Sequence, residues 1–193
     1  VSTPPSTLLP EATSSALPTQ SPTKPEESIK PEIPAETQLP EKQIFDDVST
    51  DHWAFDAVQK FSQSGIVLGY GNGMFGVDDP ITYEHFGLLL NRLFNYQSED
   101  ISKTAAIREY VIVSTVKALN LDTEGIDESL IEKTFSDCGN IAAENRKYIA
   151  VAIENSLIIG FDGKLFPCDP LTRAETVVLL DRAVNCQGNT IWK

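Results

Sequence analysis

Apolar residues along this chain recur in short helical bursts, each closed by a glycine-marked loop. Ala54, Ala57, Val58 and Phe61 follow the 3.6-residue period of a helix that Ser49, Thr50 or Asp51 is placed to cap. Gly65 ends it in the usual left-handed position, with Ile66 next to pack back on the last turn. The loop VLGYGNGMFGVDDP follows, with Tyr70 and Phe75 predicted to tuck inwards. Thr82 then caps a second helix, Ile81 and Phe86 form a hydrophobic staple, and Phe86, Leu89, Leu90, Leu93 and Phe94 give it a broad apolar face that places it deep in the domain.

Phe135 to Asn185 runs through the same plan. FDDV at Phe45 answers FSDC at Phe135, SGIVLGYGNGMF answers NSLIIGFDGKLF, and DPIT at Asp79 answers DPLT at Asp169, an internal repeat offset by 90 residues between Thr82 and Thr172. The second copy has Ser156 where the first has Gly65. Between the copies, ISKTAAIREYVIVSTVKALNL holds a helix with Val111, Val113, Val116 and Leu119 as its apolar positions. It aligns with the second helix of each repeat on a pair of positions nine apart: Arg108 to Lys117 beside Arg173 to Arg182, with Tyr83 to Arg92 in the first unit. This middle copy lacks a leading helix and glycine loop, and its Ile107 stands where a capping threonine belongs, which predicts a helix starting earlier, near Ser102 or Thr104. A polar connection from Asp122 to Thr134 carries a short helix at Glu128 to Lys133. The pattern is all-α, with three equivalent inner helices and two full helix-loop-helix units.

Leu171 to Asn185, LTRAETVVLLDRAVN, has the most complete start signal. Thr172 followed three residues later by Glu175 is a capping box, and Arg173 falls at the first helical position. A guanidinium beside the free amides and positive end of a helix is expected to make an anion-binding corner on an otherwise acidic protein.

Acidity narrows the choice of ligand. Fifteen Lys+Arg stand against 28 Asp+Glu in 193 residues, a net charge of −13, which argues against nucleic acid as partner. No run of about 18 apolar residues occurs, so no membrane span is predicted. Residues 1–43 hold most of the prolines and no aromatic residue, and read as a disordered, extended Pro/Thr/Ser-rich linker; that and the start at Val1 suggest a fragment or processed product with a cargo module upstream. Cys138, Cys168 and Cys186 show neither disulfide-framework nor zinc spacing and are expected to be buried or half-buried thiols. His52 and His85 are the only histidines, with no HExxH and no serine elbow, so no metal, cofactor or catalytic machinery is expected. Asp122, Glu124, Asp127 and Glu128 lack the spacing of a calcium loop and read as a solvated connection.

FDDVSTDHWAFDAV, GIVLGYGNGMF, DPIT and LTRAE, in this order and partly duplicated, resemble the S-layer homology (SLH) family over roughly Phe45 to Asn185. The resemblance implies a pseudo-threefold all-α SLH-type domain, three inner helices at its centre and helix-loop prongs around them. It further implies non-covalent anchoring of an exported bacterial protein at the cell wall or S-layer, through secondary cell-wall polysaccharide, often pyruvylated, held in grooves between prongs. Carried over position by position, the arginine of the TRAE motif falls on Arg173 and on Arg108, Thr172 and Glu175 complete the intact motif, and the groove aromatic of HWA falls on Trp53. The first unit reads ITYEHF, with Tyr83 at the arginine position and His85 at the glutamate position, and Glu144 stands where Trp53 would align in the last unit.

The organisation expected is a linker over 1–43, a first repeat over 44–97, a degenerate middle repeat and connection over 98–134, a last repeat over 135–187 and a tail over 188–193. An anionic sugar needs the planar fork of an arginine and an apolar or aromatic wall, so Arg173 is the main anion contact, Arg108 the second, and Trp53 and Tyr83 the sugar-packing walls. A lattice-forming or protein-binding module with little glycan affinity is the structural alternative. The enzyme alternative places catalysis in a domain upstream.

Overall fold

A computed structural model describes residues 44–186, all within the unit Pro40–Lys193; the expected linker over 1–43 and the tail lie outside the described residues. Among the described residues six α-helices are formed: α1 Phe55–Gln63, α2 Tyr83–Phe94, α3 Arg108–Ala118, α4 Ser129–Thr134, α5 Arg146–Glu154 and α6 Arg173–Cys186. Two 3-10 turns, Cys138–Asn140 and Ala143–Asn145, lead into α5. Among the described residues there is no β-strand, only isolated bridges, as the all-α pattern predicts.

The bridges carry the architecture. Immediately before α2, α3 and α6 the chain is extended, and Ile81, Ala106 and Leu171 meet there in a closed ring. The Ile81 amide donates to the Leu171 carbonyl at 2.9 Å, Leu171 to Ala106 at 3.0 Å, and Ala106 to Ile81 at 2.8 Å. Each residue gives one bond and takes one, and all three side chains are buried, so no polar backbone group at the centre is left unpaired. The neighbouring segments extend the pairing. Tyr83 and Glu84 donate to the carbonyls of Thr104 and Ser102, Arg108 and Glu109 to those of Asp169 and Pro167, and Arg173 and Ala174 to those of Asp79 and Val77.

That pairing corrects the expected start of the middle helix. Ser102 and Thr104 lend their carbonyls to α2, so they stay outside α3, and Ile107 is the N-cap with extended backbone at ψ 151°. It likewise removes the free amides expected at the start of α6. The Arg173 and Ala174 amides are held by Asp79 and Val77, the Glu175 amide by the Thr172 hydroxyl at 3.1 Å, and the Thr176 amide by the Thr172 carbonyl. The capping box closes as read, the Thr172 amide donating to Glu175 Oε2 at 2.9 Å.

α3 and α6 are buried nearly all round, through Val111, Ile112, Val113 and Val116 in one and Val177, Leu179, Leu180 and Val184 in the other. The β-branched run in α3 is a poor intrinsic helix former; packing, not propensity, supports it. α1 packs on α6 and α5 on α3, so each of these outer helices covers a buried helix that does not directly follow it in the chain. α1 begins at Phe55 rather than on Ser49, Thr50 or Asp51. Residues 49–54 are spent on turns, with the His52 amide bonded to the Ser49 carbonyl and His52 Nδ1 accepting the Ala54 amide. Gly65 closes α1 at φ 71°, and Ser156 takes the same left-handed role after α5 at φ 57°. Cys138 is half-buried, but Cys168 and Cys186 are exposed, against the expectation for all three; none is bridged.

Candidate functional site

Three grooves open between the inner helices, and each is built from the same positions of two of them. Groove 1 is lined by His85, Leu88, Leu89 and Arg92 of α2, by Arg173 and Val177 of α6, and by the loop Ile66–Tyr70. Groove 2 repeats this with Glu175, Val178, Leu179 and Arg182 of α6, Arg108 and Ile112 of α3, and the loop Leu157–Phe161. Groove 3 takes Tyr110, Val113, Ser114 and Lys117 from α3 and Tyr83 from α2, with Tyr96 and Glu99 where the other two have a glycine loop. Their volumes are about 290, 350 and 700 Å³, the third, which has no glycine loop in its lining, being the largest of these.

The nine-residue spacing seen in the sequence now has a physical meaning. Nine residues are about two and a half turns, which puts the first and last on opposite faces of a helix. Arg173 therefore faces groove 1 while Arg182 faces groove 2; Arg108 faces groove 2 while Lys117 faces groove 3; Tyr83 faces groove 3 while Arg92 faces groove 1. Arg92, Arg182 and Lys117 are thus groove residues. The sequence displayed them at that spacing without assigning them to a site.

In groove 1 the Arg173 guanidinium is fixed by backbone and aromatic rings. Nε donates to the Phe75 carbonyl at 2.9 Å and one terminal nitrogen to the Leu68 carbonyl at 3.0 Å, while its carbon lies 4.9 Å from the Tyr70 ring centre and 4.7 Å from that of Phe75. Arg92 donates to the Ile66 carbonyl at 2.7 Å. Neither arginine has an ion-pair partner among the described residues, and no acidic residue lines the groove. The Tyr70 phenol is held above its ordinary pKa by burial and by donating to Asp79 Oδ2 at 2.8 Å, with Arg173 pulling weakly the other way; it stays neutral. The aromatic wall beside Arg173 is therefore Tyr70 and Phe75. Neither Trp53 nor Tyr83 lines this groove.

Groove 2 brings Trp53, Arg108 and Glu175 together. Trp53 is 63% exposed and Phe161 78%, two open aromatic faces on a groove that also presents Ile159. Arg108 donates to Glu175 Oε1 at 2.8 Å, and its buried Nε has no partner. Groove 3 has lost the arginine: Tyr83 stands edge-on to Tyr110 with ring centres 4.7 Å apart. Glu99, Asp100 and Glu109 outnumber Lys117 there. Glu109 Oε1 is committed to the Ala142 amide and to Asn145 Nδ2, which pins the segment before α5.

Each glycine loop is held by an aspartate of the repeated FDDV and FSDC motifs. Asp47 accepts from the amides of Phe75 at 2.7 Å and Gly76 at 2.6 Å, with Val77 at 3.4 Å. Asp137 does the same for Leu165 and Phe166 at 2.8 and 2.7 Å. Burial pushes the Asp47 carboxyl up, and these amides more than offset it, leaving it below its ordinary value. The shared aspartate in FDDV and FSDC was the available signal.

Residues 44–86 and 134–177 match the profile of the S-layer homology domain. Those two segments are S-layer homology segments. The stretch between the matched segments, with α3, lies outside both. Curated relatives include the outer membrane protein SlpA of Thermus thermophilus, 26% identical over 111 residues that cover 52% of this chain and 12% of SlpA. Another is the outer membrane protein alpha of Thermotoga maritima, 40% identical over 53 residues that cover 28% of this chain and 13% of that protein. The chain thus spans about an eighth of the length of these relatives. S-layer homology domains are anchoring and structural modules, and their place is the bacterial cell surface, at the wall or S-layer. Among the described residues no helix is long and apolar enough to cross a membrane, and no cluster of His, Cys, Asp and Glu is placed to hold a metal.

Proposed function

We propose that this chain anchors an exported bacterial protein to the cell surface by reversible binding of anionic secondary cell-wall polysaccharide, with residues 1–43 as spacer to the cargo. The repeats are taken as 44–97, 98–134 and 135–187, arranged with pseudo-threefold symmetry; the closed ring of Ile81, Ala106 and Leu171 and the matching groove positions support that reading.

The observation that carries it is the fixed guanidinium of Arg173. Two of its five N–H donors are used on carbonyls, which orients the plane without neutralising it. A carboxylate or pyruvyl ketal meets the remaining donors in charge-assisted bonds, while its sugar ring lies on the apolar floor of Leu68, Leu88 and Val177. Arg108 and Trp53 serve groove 2, Thr172 and Glu175 hold the start of α6 that carries Arg173, and Tyr83 offers groove 3 a ring face without a charge.

Binding to purified sacculi before and after the secondary polymer is stripped tests the function. Retention should fall on stripping, and Arg173→Ala should weaken it by roughly 10- to 100-fold, the worth of one charge-assisted contact. Equal binding to stripped and intact walls, or an undiminished variant, overturns the reading.

A further inference from the structure

We infer that the third residue of each inner helix decides which groove accepts an anion: His85 leaves groove 1 open to a carboxylated sugar, whereas Glu175 supplies groove 2 with a carboxylate of its own and reserves it for an uncharged sugar. This rests on the glycan reading above and assigns the charged and neutral parts of the ligand to different grooves.

Grooves 1 and 2 share their first-turn arginine, Arg173 or Arg108, and their far arginine, Arg92 or Arg182. Among the charged and titratable positions that the inner helices give them, they differ at one, His85 against Glu175. Glu175 is pinned on both sides, Oε2 by the Thr172 amide and Oε1 by Arg108. Its charge therefore sits where a ligand carboxylate would sit. An incoming anion has to break the helix cap and the ion pair together, or lie beside a like charge. A hydroxyl or acetamido oxygen faces no such choice, and Trp53 and Phe161 offer open ring faces for a sugar to stack on.

Groove 1 lacks that internal anion. Two carboxylates that bond to its lining are engaged there, Asp79 by the Tyr70 hydroxyl and Asp47 by the Phe75 and Gly76 amides. Two arginines consequently face groove 1 without an acidic residue in its lining. Like charges a few ångströms apart in a partly desolvated groove oppose binding strongly, so one carboxylate at this position is expected to cost an anionic ligand about tenfold or more.

The test uses the full chain, isotope-labelled, with two probes: the methyl glycoside of a 4,6-pyruvylated N-acetylhexosamine and the same sugar without the ketal. In the wild type, amide shifts caused by the ketal should map to Leu68–Phe75 with one-site titration. Glu175→Gln keeps an oxygen for the Thr172 amide but discharges Arg108's partner; it should gain a second ketal site at Ile158–Phe161, within about tenfold of the first. His85→Glu, at an exposed position, should weaken the first site by about tenfold or more. Equal filling of both grooves by the wild type overturns the inference and leaves the glycan reading intact. So does Glu175→Gln without a second site while its α6 amides keep their dispersion. Failure of the ketal sugar to bind the wild type and both variants overturns the two together.

Discussion

Replacing Asp47 with alanine tests whether the loop aspartates hold the grooves. The substitution removes the acceptor for two short bonds, from the amides of Phe75 and Gly76, and one long one from Val77. Bonds to a charged acceptor contribute about 1.5–3 kcal/mol each when sheltered. Asp47 is half-buried and water can replace part of that, so about 1 kcal/mol per short bond and a few tenths for the long one is reasonable, a loss of about 2–3 kcal/mol. For a domain of this size that is a fall in Tm of roughly 6–10 °C, read by calorimetry or circular dichroism. The pH dependence has a definite sign. The folded carboxyl lies below its ordinary value, so its contribution is present above about pH 4 and is lost as pH falls through the folded value. Asp47→Asn should flatten the wild type's stability slope below about pH 4. Because the Phe75 carbonyl orients Arg173, glycan binding by the folded Asp47→Ala protein should also weaken. A Tm within about 2 °C of the wild type, or an Asn variant with an unchanged acid slope, would refute the bracing argument.

Other expectations follow from single positions. Ser156→Gly should raise stability by roughly 0.5–1 kcal/mol in urea unfolding, since Ser156 takes at φ 57° the left-handed place that Gly65 fills in the first repeat. Gly69→Ala should lower it by more than about 2 kcal/mol, because the new Cβ would collide with the Phe45 ring and sit 2.5 Å from the Met74 carbonyl oxygen. Thr172→Ala removes the acceptor for the Glu175 amide and should cost about 1 kcal/mol, seen as a lower midpoint in the same titration.

Helices were the most legible part of the fold, for local reasons. Phe86, Leu89 and Leu90, or Val113, Val116 and Leu119, repeat at helical spacing, and Thr172 with Glu175 announces a start through atoms three residues apart. The start of α3 was misread because its determinant is not local. Ser102 and Thr104 look like caps, but their carbonyls pair with α2, some 20 positions earlier in the chain. The same long-range pairing occupies the amides that a helix start read alone leaves free beside Arg173. The repeated motif pointed to Arg173 and Arg108, which the fold places on grooves 1 and 2, but showed Arg92 and Arg182 only as a spacing and did not show which aromatic ring stands beside which arginine. Trp53 precedes α1 yet lines groove 2 together with Arg108 of α3, since α1 packs on α6 across the chain.

Such cross-repeat pairing limits how a groove can change. Each groove combines the first turn of one inner helix with the third turn of another, and the starts of all three are tied through a single ring of backbone bonds. A shift of α6 would move Arg173 and Arg182 together, altering groove 1 and groove 2 at once. Side-chain replacement at a first-turn position has no such reach, since Tyr83 in place of arginine changes groove 3 while Arg92, on the opposite face of the same helix, still serves groove 1. Divergence among the grooves is therefore expected at the first and third helical positions, where Tyr83 departs from the arginine shared by Arg108 and Arg173 and where His85, Tyr110 and Glu175 all differ, while Ile81, Ala106 and Leu171 remain apolar and buried. The ring keeps the geometry common to all three, and charge at two positions per helix makes the grooves unequal.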